Sequence, residues 1–236
     1  MRTLFYTLLL LLIYLTRCES FLSEPSKQLT VDYTGQIDTV FDIDGNAYKT
    51  VGIGSQIWMA QNLRTTRLNE GTFISQVKAD SIWYFNRQIA YCWYNNDSIY
   101  NSRIYGSLYN YSTVSSGSIC PIGWHVPKDS AWTILFNLLG GSEKAGGKLK
   151  DYYASYWSDP NVCFANKFGF AAQPGGKRFH YKGSFSNLND KGFWWTSTAK
   201  NEFIINSISM INSSTGISRE ESRYDEGLSI RCIKDQ

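Results

Sequence analysis

The chain of 236 residues predicts a single α+β domain, and three features of its sequence predict it. Apolar β-formers run through residues 36–63 around the turn dipeptide Asp44-Gly45, the pattern of a β-meander. Trp132, Leu135, Phe136 and Leu139 recur at i, i+3, i+4 and i+7, which is the stripe of one amphipathic helix over residues 129–139. The rest carries short apolar runs between turn signals, with no internal repeat and with aromatic residues at 16% of the chain. Hydrophobic residues at 43% and charged residues at 18% exclude disorder as the main state. The net charge of +3 gives no basic field, so no nucleic-acid partner is expected.

Taken in order, the chain begins with Met1 and Arg2 and then an apolar run over residues 4–15, interrupted by Thr7. As a helix this run rises about 18 Å, short of the roughly 30 Å core of a bilayer. It reads as the h-region of a secretory signal peptide over residues 1–17. Leu15-Thr16-Arg17-Cys18 resembles a bacterial lipobox, with Arg17 where a small residue is usual. The expectation is lipidation of Cys18, with ordinary cleavage shortly after it as the alternative. The location expected is extracytoplasmic: an outer-membrane or cell-surface lipoprotein held through its N-terminal lipid, or a secreted protein. Residues 18–35 are polar, contain Pro25 and read as a tether, and residues 36–236 read as the folded domain.

Within the meander, Val40, Phe41 and Ile43 lead into Asp44-Gly45, Tyr48, Val51 and Ile53 follow, and Gly54-Ser55 turns the chain into Ile57-Trp58-Met59. Asp42, Asp44 and Asn46 alternate as calcium ligands do. However, Gly45 precedes Asn46 and Ile53 stands in the twelfth place, so the segment reads as a turn. Residues 64–119 lack a clear period and read as short strands and long loops, with a polar turn at Asn96-Asp97. Pro127 precedes the main helix, Asp129 or Ser130 caps it, and Gly140-Gly141 stops it. A second short helix over residues 143–150 is weakened by Gly146-Gly147. Strands follow near Phe193-Trp194-Trp195, residues 204–210 and residues 228–233, whereas the run Gly175-Gly176-Lys177-Arg178 reads as a turn.

Four cysteines follow Cys18: Cys92, Cys120, Cys163 and Cys232. An even count in an exported chain points to two disulfides with three connectivities open, and free buried thiols are the alternative. The expected pairing is Cys92–Cys120, on sequence proximity, and Cys163–Cys232, on the tendency of such folds to tie the last strand back. No CxxC pair suggests a zinc knuckle.

The sequence holds no GxSxG and no HExxH. His125, between Trp124 and Val126, reads as a packed turn residue, and His180 as a surface or strand residue. No catalytic residue, metal site or cofactor is expected. The aromatic cluster DYYASYWSDP offers Tyr152, Tyr153 and Tyr156 as ligand-contacting side chains, with Trp157 the core member. In a strand Trp194 and Trp195 point to opposite faces, so Trp195 is the fourth candidate.

Eight segments together resemble the Fibrobacter succinogenes major paralogous domain, a family of exported bacterial proteins. They are residues 42–63 (DIDGNAYKTVGIGSQIWMAQNL), 91–97 (YCWYNND), 105–111 (YGSLYNY), 123–127 (GWHVP), 139–150 (LGGSEKAGGKLK), 168–178 (FGFAAQPGGKR), 194–198 (WWTST) and 227–235 (GLSIRCIKD). Lys128 departs from the Thr or Ser that commonly caps the helix there. The resemblance implies a C-type-lectin-like mixed fold with short twisted sheets, long loops and paired N- and C-terminal strands. The GWHVP segment also resembles the helix start of formylglycine-generating enzymes, but the late reactive cysteine pair of those oxidases is missing. The Glu-Pro-Asn, Gln-Pro-Asp and Trp-Asn-Asp motifs of calcium-dependent lectins are absent as well. The function expected is therefore a calcium-independent surface binder for a glycan or a surface protein. A structural or adhesive envelope component is the alternative, and an enzyme the weaker one.

Overall fold

The structure is a computed structural model that describes residues 35–151, 156–160 and 165–235. Cys18, Tyr152, Tyr153 and Cys163 lie outside the described residues.

The meander forms as read. Strands β1 (Gly35–Phe41), β2 (Ala47–Ile53) and β3 (Gln56–Met59) pair antiparallel in sequence order. The first turn is closed by Asp42, whose carboxylate accepts from the amides of Asp44 (3.0 Å) and Asn46 (2.9 Å) and from the Tyr48 hydroxyl (2.6 Å). Asp44 turns the other way and accepts from Arg67 Nε at 2.6 Å and from the Thr65 and Thr66 hydroxyls. Both carboxylates are thus consumed by protein donors, which is why the Asp-x-Asp-x-Asn alternation builds a turn here.

Residues 64–119 contain more helix than their sequence suggests. A small sheet of β4 (Ser75–Gln76), β5 (Ala90–Cys92) and β6 (Leu108–Tyr109) alternates with α1 (Asp80–Phe85), α2 (Asn101–Tyr105) and α3 (Tyr111–Ser115). Helices of five or six residues are too short to print a 3.6 period, so the sequence reads them as loops. The polar turn after the aromatic strand does occur, with Asn95 and Asn96 at positive φ, a conformation asparagine tolerates.

After β7 (Trp124–His125), the main helix α4 (Asp129–Leu138) buries Trp132, Leu135 and Phe136. Its cap differs from the expectation. Lys128 holds the N-cap position without a side-chain bond, and the Asp129 amide donates to Thr198 Oγ1 at 3.0 Å. Asp129 is thereby freed to pair with Arg219. Helix α5 (Ser142–Leu149) forms despite its glycines because the packing requires them: a Cβ on Gly146 would lie 2.4 Å from the Gly216 carbonyl oxygen.

The second sheet has the order β12-β11-β10-β8-β9, built from β8 (Gly175–Arg178), β9 (Phe185–Leu188), β10 (Lys191–Ala199), β11 (Ile204–Ile211) and β12 (Ser218–Arg223). Gly175–Arg178 is a strand, not the turn its glycines suggested. Gly176, at φ +62°, is there for close approach, since a Cβ would sit 2.5 Å from the Ser186 carbonyl oxygen on β9. The expectation of one exposed tryptophan on β10 also fails, because the sheet is covered on both faces at this point. Trp194 packs with Trp58, Trp132 and Phe170. Trp195 packs with Tyr109, Ile205 and Leu228, and its indole N–H donates to the Tyr109 carbonyl at 2.7 Å.

The last described strand lies inside the first sheet. Strand β13 (Ile233–Lys234) pairs with both β3 and β7, giving the order β1-β2-β3-β13-β7. This insertion carries Cys232 to Cys120, just before β7, and the two form a disulfide with Cα atoms 6.0 Å apart. The expected Cys92–Cys120 and Cys163–Cys232 pairs are therefore wrong. Cys92 is a free thiol buried with Trp83, Tyr94 and Leu108 on the small sheet, and closeness in sequence did not bring it to Cys120.

Among the described residues two arginines are fully buried. Arg231 donates to Asn62 Oδ1 from Nη2 at 2.7 Å and to the carbonyl oxygens of Phe170 and Ala171, and it stacks 4.4 Å from the centre of the Phe170 ring. Asn62 in turn accepts from Trp194 Nε1 at 2.8 Å and donates to the Tyr105 carbonyl at 2.9 Å. Burial pushes the Arg231 guanidinium down to about 9, with Asp151 acting in the opposite direction. Arg178 donates to the carbonyls of Val77, Lys78 and Gly183 and to Asp80, and lies between the Trp83 and Phe185 rings. Arg178 thus ties residues 77–80 to the second sheet, and Arg231 ties Asn62, just after β3, to residues 170–171.

Candidate binding cleft

The loops of residues 64–119 and the first turn of the meander enclose an open cleft of about 510 Å³, lined by Asn46, Arg64, Trp93, Ser102 and Arg103. This is within the ~300–1,000 Å³ typical of small-ligand sites. Each lining residue is placed by a neighbour. The Asn46 amide nitrogen is fixed on Asp42 Oδ2 at 2.9 Å, and its Oδ1 accepts from Arg64 Nε at 3.2 Å. Arg64 Nη2 donates to the Ala47 carbonyl at 3.2 Å, and the guanidinium lies 5.0 Å from the Tyr48 ring centre. The Tyr48 hydroxyl also accepts from the Arg64 amide at 3.0 Å, so one buried tyrosine sets both backbone and side chain.

Across the cleft, the alternation of a strand places Trp93. Ala90, Cys92 and Tyr94 enter one core cluster, while Tyr91 and Trp93 face the other. Trp93 is half-buried at the rim, edge-on to Tyr91 at 5.5 Å. Helix α2 supplies Ser102 and Arg103 and is anchored by Asn101, whose amide donates to the Tyr94 carbonyl at 3.0 Å. Asp97 caps the approach to α2 by accepting from the amides of Ile99 and Tyr100.

The described arginines fall into two groups, and outside the cleft Arg87 and Arg231 share with the cleft arginines the lack of a carboxylate ion pair. Among the described residues, Arg67, Arg178, Arg219 and Arg223 each pair with a carboxylate. Arg64 has no carboxylate partner and leaves Nη1 uncommitted, and Arg103 makes no hydrogen bond, ion pair or ring contact. Asp42 reaches the cleft only through Asn46, with its carboxylate buried against Tyr48.

Residues 51–234 match the Fibrobacter succinogenes major domain. The chain belongs to this family. Neither a curated protein nor a solved structure matches it. In this Fibrobacter succinogenes major domain the matched span includes Arg64, Trp93, Ser102 and Arg103, and Asn46 lies just before it.

A second polar cluster of the domain surrounds Phe193. Lys177 and Lys191 both lie about 5 Å from its ring centre, at 5.0 and 4.8 Å. Lys177 donates to Glu226 at 3.1 Å, His180 Nδ1 is 3.2 Å from the same carboxylate, and Lys191 donates to Glu220 at 2.8 Å. Desolvation acts to raise the Glu220 carboxyl. The bonds from Lys191 and Ser209 and the charges of Lys191 and Lys177 outweigh it and hold the carboxyl below its ordinary value. Every charge in this cluster is matched by a partner, so it joins strands rather than awaiting a ligand.

Of the four aromatic residues singled out in the sequence, Trp195 is buried and cannot touch a ligand. Tyr156 is half-buried, packed on the core and edge-on to Tyr105 at 6.2 Å. Tyr152 and Tyr153 lie outside the described residues. His125 is not a packed turn residue. It is exposed on β7, with Nδ1 2.5 Å from Asp235, because β13 brings the C-terminal residues beside it. His180 is a half-buried residue just after β8. Among the described residues no group of three or more His, Cys, Asp and Glu is placed to hold a metal ion, and no helix is long and apolar enough to cross a membrane.

Sequence reasoning missed the cleft residues. Arg64 and Arg103 belong to segments without periodicity, and only the phase of Trp93 between two core-facing neighbours pointed toward an edge.

Proposed function

We propose that this protein is an exported, lipid-anchored surface protein that binds a glycan, without calcium, in the cleft between α2 and the Asn46 turn. The observation that carries this reading is the meeting of the Trp93 indole with the amide of Asn46, the hydroxyl of Ser102 and two guanidinium groups in one open cavity. A sugar ring offers an apolar C–H face to an indole and hydroxyls to such polar groups.

Other features support the setting. The Cys120–Cys232 bond suits an oxidising compartment, and the leader over residues 1–17 with Cys18 suits export and lipidation. The pairing of β13 with the N-terminal meander, and the loop-rich stretch that carries the cleft, fit a C-type-lectin-like architecture. Among the described residues the one free cysteine lends no support to turnover. Burial pushes the Cys92 thiol up to about 12, despite Arg178 beside it, which keeps it protonated and unreactive.

The test is a glycan array probed with the purified protein and its Trp93→Ala variant, each with and without EDTA. Retention of a defined glycan set, unchanged by EDTA and weakened at least tenfold by W93A, is expected. No glycan retained, or retention abolished by EDTA, would end the reading.

A further inference from the structure

We infer that the sugar taken by this cleft is anionic: a pyranose carrying an oxyanion, carboxylate or sulfate ester, shared by Arg64 and Arg103 with its ring on Trp93. The inference rests on the glycan reading above and adds the chemistry of the ligand.

Three observations carry it. The first is the imbalance of charge. Two guanidinium groups line one cavity with no Asp or Glu among its lining residues; of the six other described arginines, four pair with a carboxylate, Arg231 is satisfied by Asn62 and carbonyl oxygens, and Arg87 lies on the Tyr224 ring. Two like charges brought together in a concavity repel, and an anion relieves that repulsion while desolvating both. The second is donor geometry. Arg64 is held in place from one side, by Asn46 Oδ1, the Ala47 carbonyl and the Tyr48 face, so its remaining N–H groups are preorganised and unspent. Fixed guanidinium forks match planar or tetrahedral oxyanions in a way that a mobile ammonium does not. The third is the asymmetry between the two arginines. Arg103 is exposed and free of any described partner, so it can swing onto a ligand that Arg64 has already located.

A purely acidic peptide would use the same cations but not the rest of the cleft. Trp93, Asn46 and Ser102 add a flat apolar face and neutral hydrogen-bonding groups, which suit a hydroxylated ring.

The experiment compares four probes by calorimetry at low and high salt: an oligogalacturonate, its carboxyl-reduced neutral form, a sulfated galactan oligosaccharide and oligoglutamate. Binding of the uronate or the sulfated sugar at least tenfold tighter than the neutral form, weakened by salt, is expected, and the tighter of the two names the anion. Arg103 touches nothing else in the fold, and Arg103→Gln should remove that tenfold preference by weakening the charged sugar far more than the neutral one. Equal binding of charged and neutral sugars overturns the inference and leaves the glycan reading standing. Binding of oligoglutamate as tight as the sugars, or R103Q without effect on the preference, also overturns it. No binding of any sugar overturns both.

Discussion

Arg178 and Arg231, set beside Arg64 and Arg103, show the same side chain in two opposite roles. The first pair is fully buried, and each guanidinium is ringed by carbonyl oxygens, a side-chain oxygen and an aromatic face. The second pair lies on a cleft, with donors left over in one and all donors left over in the other. A buried cation is tolerated only when its hydrogen-bonding capacity is nearly exhausted. The buried arginines therefore belong to the scaffold, whereas Arg64 and Arg103 keep donors that the fold itself does not use.

This contrast can be broken most severely at Arg231. Arg231→Ala leaves Asn62 Oδ1 and the carbonyls of Phe170 and Ala171 without their donor and opens a cavity beside Phe170. A loss of about 3–5 kcal/mol is expected, read as a lowered denaturant midpoint with an unchanged slope. A loss below about 1 kcal/mol would show that the buried network does not hold the domain together.

A smaller effect is expected at Asp44, which ties the first turn to Arg67. Burial acts to raise its carboxyl, but the bonds from the Thr66 amide, Arg67, Thr66 and Thr65 prevail and hold it below the usual value. In the unfolded chain the carboxyl titrates near about 3.9. As pH falls, the unfolded state takes up the proton first, so the stabilisation is complete above about pH 4 and is lost as pH drops through the lowered folded value. Asp44→Asn should cost about 1 kcal/mol at neutral pH and flatten the acid limb of the stability curve. An acid limb identical to that of the parent protein would remove Asp44 from the account.

The smallest effect is expected at Arg103. Because it contacts nothing, Arg103→Gln should change stability by no more than about 0.5 kcal/mol at any pH. Thermal unfolding checks this, and a larger loss would reclassify Arg103 as scaffold.

Local signals in the sequence were reliable where one residue type performs one local task. Asp44-Gly45 does make the hairpin turn, the Trp132–Leu135–Phe136 stripe does form α4, and Gly140-Gly141 at positive φ does end it. They failed where tertiary neighbours decide. The glycines of Gly175–Arg178 look like a turn but serve the close approach of β8 to β9. Trp195 looks like the outward member of a strand pair, yet a second core cluster covers that face. Cys232 finds Cys120 only because β13 threads between β3 and β7. The cleft was the least legible part. Its five lining residues come from a turn, an irregular segment after β3, the end of a short strand and a five-residue helix, and no periodic pattern links them.

The position of β13 has a consequence for how the molecule is made. Whenever β13 is not seated between β3 and β7, the first sheet is left with two unsatisfied edges, and Cys120 lacks the mate that the strand carries beside it. The seam therefore closes only when two segments 112 residues apart in the sequence meet, and the covalent bond then locks that meeting in place.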